Sequence, residues 1–273
     1  MASDPAARWR VTEGSRLSLG RIDSRSTDGA PGDKEATRAA SDELRTTLAE
    51  QQARLYAESE QSLLVVLQAM DTGGKDGAIR NVFSGVNPQG VTVTSFKAPT
   101  AEELAHDFLW RVHRATPEKG QVAVFNRSHY EDVLVVRVHR LVGPKVVRAR
   151  YAHIRAFEAN LADAGTRVVK LYLHISKDEQ RARLQSRLDD PAKHWKFDVG
   201  DLDERRLWPD YQRAFRHAIS ATTTAAAPWY VIPADRKWYR DWAILTILTE
   251  TLAAMDPRYP PAPEGLADVV IPD

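Results

Sequence analysis

Five short, largely apolar runs recur along this chain, and most of them lead through a turn into a stretch with helical spacing. The runs are Leu63–Gln68, Val91–Phe96, Gln121–Phe125, Arg167–Ile175 and Trp229–Ile232. The first of them, Leu63–Gln68, is apolar nearly throughout rather than at every second residue. A strand needs that pattern when both of its faces are buried, as in a parallel sheet covered by helices. Spacing predicts helices at Ser41–Gln61, where Leu44, Leu48 and Leu55 share roughly one face, and at Lys75–Phe83, Val146–Ala164, Lys177–Leu188, Asp203–Ser220 and Lys237–Met255. Thr100-Ala101-Glu102-Glu103 is a capping box, and its helix is expected to reach about Arg114. Tyr130–Val142 reads two ways: its β-branched content favours strand and its charge spacing allows helix. The expected fold class is α/β, a five-stranded parallel sheet with helices on both faces. Ligands in such folds bind at the carboxyl ends of the strands, which points to the turns after Gln68 and Phe125.

The length suits one elaborated α/β domain. Residues 1–33 are polar and rich in Gly, Ser and Asp, and are expected to form a mostly irregular arm. Residues 34–256 read as a single domain, and the Pro-rich stretch 257–273 as a surface tail. The formal net charge is only +1, so bulk charge marks neither a nucleic-acid binder nor a membrane binder. A polyanionic partner would need a local cluster of cations. There are no cysteines, which excludes disulfides, thiolate metal sites and cysteine nucleophiles. The N-terminus lacks the apolar core of a secretory signal, and the longest apolar run, Leu63–Leu67, is far short of the roughly 20 residues that cross a bilayer. The expected location is the cytoplasm.

The turn after the first run reads Ala69-Met70-Asp71-Thr72-Gly73-Gly74-Lys75-Asp76. Glycines between a strand and a helix let backbone N–H groups converge on phosphate oxygens. The helix N-terminus adds its dipole, and a lysine reaches terminal phosphates as a point charge. The pattern G-x-x-x-x-G-K-[ST] is incomplete, because Ala69 stands at its first position and Asp76 at its last. The hydroxyl that would help hold Mg²⁺ is missing, so a carboxylate must substitute, with Asp71 nearest and Asp76 behind it. The same residues also suit an ordinary strand-to-helix turn. After the third run comes Asn126-Arg127-Ser128-His129-Tyr130-Glu131-Asp132, where Arg127 is placed to meet phosphate by paired hydrogen bonds and the acids also fit a helix start. Ser128 has no partners for a hydrolase triad. The eight histidines make no metal motif, and His129 suits a structural hydrogen bond as well as a phosphate. Trp195, Trp208, Trp229, Trp238 and Trp242 read as packing.

Together these segments resemble the polyphosphate kinase 2 family. Ala69–Gly77 is similar to its phosphate loop, Ser95–Thr100 and Phe125–Val133 to its next two motifs, Asp189–Phe197 to its lid, and Pro228–Asp235 to its last strand and turn. The resemblance runs from about Gln61 to Tyr259. It implies a P-loop kinase fold of the thymidylate-kinase-like type, with a helical lid at about 177–206. It also implies phosphoryl transfer between inorganic polyphosphate and nucleotides, with Mg²⁺, or Mn²⁺ as an alternative, in a homo-oligomer. Many members carry Asp where this chain has Asn126 and Arg where it has Asp132, and this form of the motif is similar to the subgroup that phosphorylates both AMP and ADP. The expected catalytic set is Asp71, Lys75, Arg127 and Asp132, with Asp71 and Asp132 toward the metal. Phosphate contacts are expected from Thr72, Gly73, Gly74, Lys75, Asp76, Gly77 and Arg127, and from Arg183, Arg187, Lys193 and Lys196 of the lid. The lid carries as many acids as cations, so this expectation requires its cations to share a face. The expected nucleotides are AMP, ADP and ATP, with guanine nucleotides left open. Two rivals stand beside this reading: an ATP-dependent nucleotide monophosphate kinase, and a non-catalytic binder of nucleotide or polyphosphate.

Overall fold

Every residue of β1 (Ser62–Ala69) is buried, as a strand flanked on both sides and covered on both faces must be. The structure, a computed structural model, describes residues 4–266 and 269–272. The other strands are β2 (Val91–Ser95), β3 (Val122–Asn126), β4 (Thr166–His174) and β5 (Trp229–Pro233). They form one sheet in the order β2-β3-β1-β4-β5, and all four pairings are parallel. The helices are α1 (Lys34–Glu58), α2 (Lys75–Val82), α3 (Ala101–Leu104), α4 (Trp110–His113), α5 (Val135–Val138), α6 (Pro144–Asp163), α7 (Lys177–Leu188), α8 (Gly200–Arg206), α9 (Trp208–Thr222) and α10 (Lys237–Met255). α10 packs against α1 and α2, while α6 packs against α9 and β4. Register sets the site: Leu67 lies opposite Asn126, and Ala69 opposite Leu173. The carboxyl ends of β1, β3 and β4 therefore open side by side.

Several boundaries differ from the sequence expectations, each for a local reason. α1 begins at Lys34, not Ser41, because the Asp33 carboxylate accepts from the Glu35 and Ala36 amides and caps a turn with no apolar pattern to betray it. The helix expected from Thr100 to Arg114 is two short pieces. The capping box is present at Thr100, but Asp107 accepts from the Leu109 amide at 2.9 Å and interrupts the run. Tyr130–Val142 holds no strand and is helical in part, as a 3-10 turn at His129–Asp132 followed by α5, with turns between and after them. Pro209 starts a new helix, so the segment expected at Asp203–Ser220 is α8 and α9, divided at Leu207.

The arm holds two 3-10 turns, Pro5–Trp9 and Leu19–Arg21, and Trp9, Val11 and Leu19 are buried. Arg10 bridges antiparallel to Tyr230 and covers the outer edge of β5. The described part of the tail has no strand or α-helix. Residues 1–3 of the arm and residues 267, 268 and 273 of the tail lie outside the described residues.

Candidate active site

β1 delivers the chain into a loop whose backbone is bent by two residues at positive φ, Thr72 at 59° and Gly74 at 97°. Glycine takes such angles freely, whereas threonine is strained there and must be held in place. A Cβ on Gly73 would collide with the Ala69 side chain and the Met70 carbonyl, so the loop closes on itself tightly at this point. Ala69 thus stands where the phosphate-loop pattern has glycine, and Gly73 supplies the space. The buried Lys75 opens α2, and its Nζ donates to the Ala69 carbonyl at 3.3 Å. Burial and then the Arg127 guanidinium push the Lys75 ammonium below its usual range, while Asp71, Glu131 and Asp76 act in the opposite direction.

The segment after β3 faces two ways. Arg127 has φ 63°, and its amide donates to the Leu67 carbonyl at 3.1 Å. Its side chain turns back to the loop, with Nη2 2.7 Å from Asp71 Oδ1. Burial works against its charge, but Glu131 and Asp71 outweigh burial and raise the guanidinium. Asn126 donates to Asp76 Oδ1 at 2.8 Å. Burial raises the Glu131 carboxyl against the pull of Arg127 and Lys75. Ser128, His129 and Tyr130 point into the core. Ser128 Oγ accepts from Gln68 at 3.2 Å and from the Tyr130 amide at 3.1 Å.

Asp132 departs from expectation. It lies 3.4 Å from Arg150 and 3.8 Å from Arg111 and does not line the cavity above the loop. Glu131, one residue earlier, is the acid of this segment that meets Arg127 and Lys75. A metal or acceptor role for Asp132 is therefore not carried by this geometry. His129, fully buried with Nε2 3.5 Å from Glu158, is likewise removed from any phosphate.

The lid closes the other side. Arg183 of α7 donates to the Thr72 carbonyl at 3.1 Å and to the Ala234 carbonyl at 2.6 Å, and pairs with Glu179 at 2.7 Å. Arg187 binds the Lys196 carbonyl at 2.9 Å and Asp201 at 3.3 Å. Trp195, expected to be packed, is 78% exposed, with the Lys196 ammonium 4.7 Å from its ring centre. Arg240 of α10 is the largest omission of the sequence reading. It is 1% exposed, donates to the Gly74 carbonyl at 3.1 Å, and is held by Asp241. Asp241 in turn accepts from Asn81 of α2 at 2.9 Å, so α10 braces the loop from beneath.

These groups line a cavity of about 840 Å³ that includes Asp71 through Gly77. Ten lysines and arginines face it against five aspartates and glutamates. The whole chain has 38 cations and 37 acids. Most of the imbalance a polyanion requires is thus concentrated at one place. Among the described residues, no group of three or more His, Asp or Glu is placed to hold an ion by protein ligands alone. The cavity does carry carboxylates, Asp71 and Asp76 at the loop and Asp198 and Asp201 on the lid. One or two such hard oxygen donors suit Mg²⁺, which fills the rest of its shell with water and phosphate oxygens.

The family model for polyphosphate kinase 2 matches residues 32–260. The chain belongs to the polyphosphate kinase 2 family. A Meiothermus ruber protein named AMP/ADP-polyphosphate phosphotransferase is 54% identical over 264 residues, covering 97% of this chain and 98% of its own length. An ADP-polyphosphate phosphotransferase of Rhodopseudomonas palustris is 43% identical, covering 93% and 91%. The crystal structure of polyphosphate kinase 2 from Arthrobacter aurescens TC1 superposes with a TM-score of 0.94 at 45% identity, covering 98% of this chain and 95% of that one. The sheet and its helices are thus the P-loop kinase fold of the polyphosphate kinase 2 family.

Proposed function

We propose that this chain transfers phosphoryl groups from inorganic polyphosphate to AMP and ADP, with Mg²⁺ as its divalent metal. The observation that carries the reading is the cavity's excess of cations over acids around a phosphate-type loop, in a chain otherwise near neutrality. The dual acceptor rests on the 54% identity to the Meiothermus ruber protein of that name. In the transfer, an oxygen of the acceptor's terminal phosphate attacks the terminal phosphorus of polyphosphate. The bond to the bridging oxygen breaks, and the donor leaves one phosphate shorter. The acceptor is already ionised, so little general-base help is needed, and rate comes from alignment and charge neutralisation. Lys75 and the loop amides hold the donor phosphates. Arg127 and Arg183, anchored at Asp71 and at the loop carbonyls, meet the charge on the transferring group. Asp71 is the carboxylate best placed to hold the metal, which when bound adds charge neutralisation at the phosphates. Lys193, Lys196 and Arg187 draw the lid onto the polyanion and keep water from competing as acceptor.

The test is turnover by purified protein with Mg²⁺ and long-chain polyphosphate, AMP or ADP being supplied separately and ATP omitted. ATP should appear from ADP, and ADP followed by ATP from AMP. Turnover only when ATP is the donor would instead identify an ATP-dependent kinase, and binding without turnover a non-catalytic binder.

A further inference from the structure

The core contains an ion pair that the transfer itself does not use. Lys170 of β4 is 0% exposed and Glu158 of α6 is 1% exposed, with Nζ and Oε2 2.6 Å apart. Burial disfavours both charges. Burial is the largest influence at Glu158, but Lys170 and His129 together overcome it and hold the carboxyl below the usual range, while at Lys170 burial prevails and lowers the ammonium. Replacing such a pair by apolar residues is often neutral or stabilising, so stability alone does not explain its presence.

What the pair touches does explain it. Tyr130 Oη donates to Glu158 Oε1 at 2.8 Å and accepts from Lys170 Nζ at 3.1 Å. Lys170 also donates to the Thr222 carbonyl at the end of α9, at 2.7 Å, which leaves the ammonium three partners. His129 Nε2 lies 3.5 Å from the same Glu158 oxygen. Tyr130 further packs edge-on against Trp229 of β5, with ring centres 4.7 Å apart. His129 and Tyr130 are the middle of the segment whose outer residues, Arg127 and Glu131, face the phosphate loop. The turn buries His129 and Tyr130, whereas Arg127 lines the cavity and Glu131 lies 4.0 Å from Arg127, so gripping the inner residues fixes the bearing of the outer ones. Lys170, Glu158 and Tyr130 are each paired in this network, and it is rigid because each lost partner leaves an uncompensated group.

We propose that Lys170 and Glu158 are positioning residues for phosphoryl transfer. Acting through Tyr130, they hold Arg127 and Glu131 at the bearing the transferring group requires. This rests on the transfer activity proposed above, and wild-type turnover in the same assay checks that activity separately.

The test compares Tyr130→Phe, the apolar double variant Lys170→Met/Glu158→Leu, and the triple variant, each assayed well below its melting temperature. Tyr130→Phe should lower kcat about tenfold, with KM for ADP and polyphosphate within about twofold of wild type. The double variant should melt lower than wild type, since the buried Thr222 carbonyl loses the Lys170 ammonium, and should lose a similar factor in kcat. The triple variant should lose no more than the double, since all three residues act as one unit. Unchanged kcat in Tyr130→Phe would overturn the proposal even if the double variant does not fold. So would a fully active double variant, or losses that simply multiply in the triple.

Discussion

Lys75 is buried beside Asp71 and Arg127, and no other lysine or arginine starts the helix after the loop. Lys75→Ala should lower kcat by at least about a hundredfold, the scale on which charge-stabilising groups act. Its melting temperature should stay within about 4 °C of wild type, since Lys75 makes one weak contact to a carbonyl. Near-normal turnover would remove Lys75 from the chemistry. Asp132 gives a prediction in pH. Burial lifts its carboxyl from 3.8 to about 6 against the pull of Arg150 and Arg111. Between those values the folded chain keeps a proton that the unfolded chain releases. Its contribution to stability is therefore present on the acid side and is lost as pH rises through about 6. Going from about pH 5 to about pH 7, wild type should lose more stability than Asp132→Asn, and matching denaturation curves would show that Asp132 does not titrate there. That Lys75 and Arg127 line one cavity was legible because motif spacing places them. Asp132 was expected toward the metal but lies off the cavity, because adjacent residues in a 3-10 turn face different ways and spacing alone does not say which acid faces the loop. Arg240 left no signal, because an Arg-Asp pair in a helix reads as solvated surface until the packing of α10 beneath the loop is known.

Among elements, the lid shows best what counting charges misses. Lys177–Arg206 is neutral by composition, yet Arg183, Arg187, Lys193 and Lys196 all line the cavity. Lys193 is paired with Asp190 in an exposed contact, which holds it only weakly. Lys193→Ala/Lys196→Ala should raise KM for polyphosphate several-fold, steepen its dependence on salt less than wild type, and increase phosphate released per ATP formed. An unchanged KM and release ratio would mean that the lid tip does not meet the donor. The strands were readable to within a residue or two because β1, β3, β4 and β5 are buried almost throughout and leave apolar runs, while the half-exposed edge strand β2 shows instead as β-branched alternation. α1 was started late because its first turn depends on the Asp33 cap rather than on apolar spacing, and the divided α8 and α9 depend on Pro209.

Over the whole molecule, the arm is part of the packed body. Trp9 Nε1 donates to Tyr239 Oη at 3.2 Å, and its ring meets Trp242 edge-on at 5.4 Å. Trp9→Ala should cost about 3–5 kcal/mol in denaturant unfolding, as for other large-to-small core changes, whereas a loosely attached arm would lose well under 1 kcal/mol. The arm looked irregular in sequence because it contributes isolated anchors, not a periodic face. The crowding of ten cations around one cavity has a consequence for the folded state itself. Like charges held this close repel, and the fold supplies the restraint while the cavity lacks a polyanion. An arriving polyanion relaxes that repulsion, so substrate acts as mortar as well as reactant. The hardness of this protein then depends on the phosphate chemistry of its surroundings, through the linkage that ties any ligand of the native state to its unfolding.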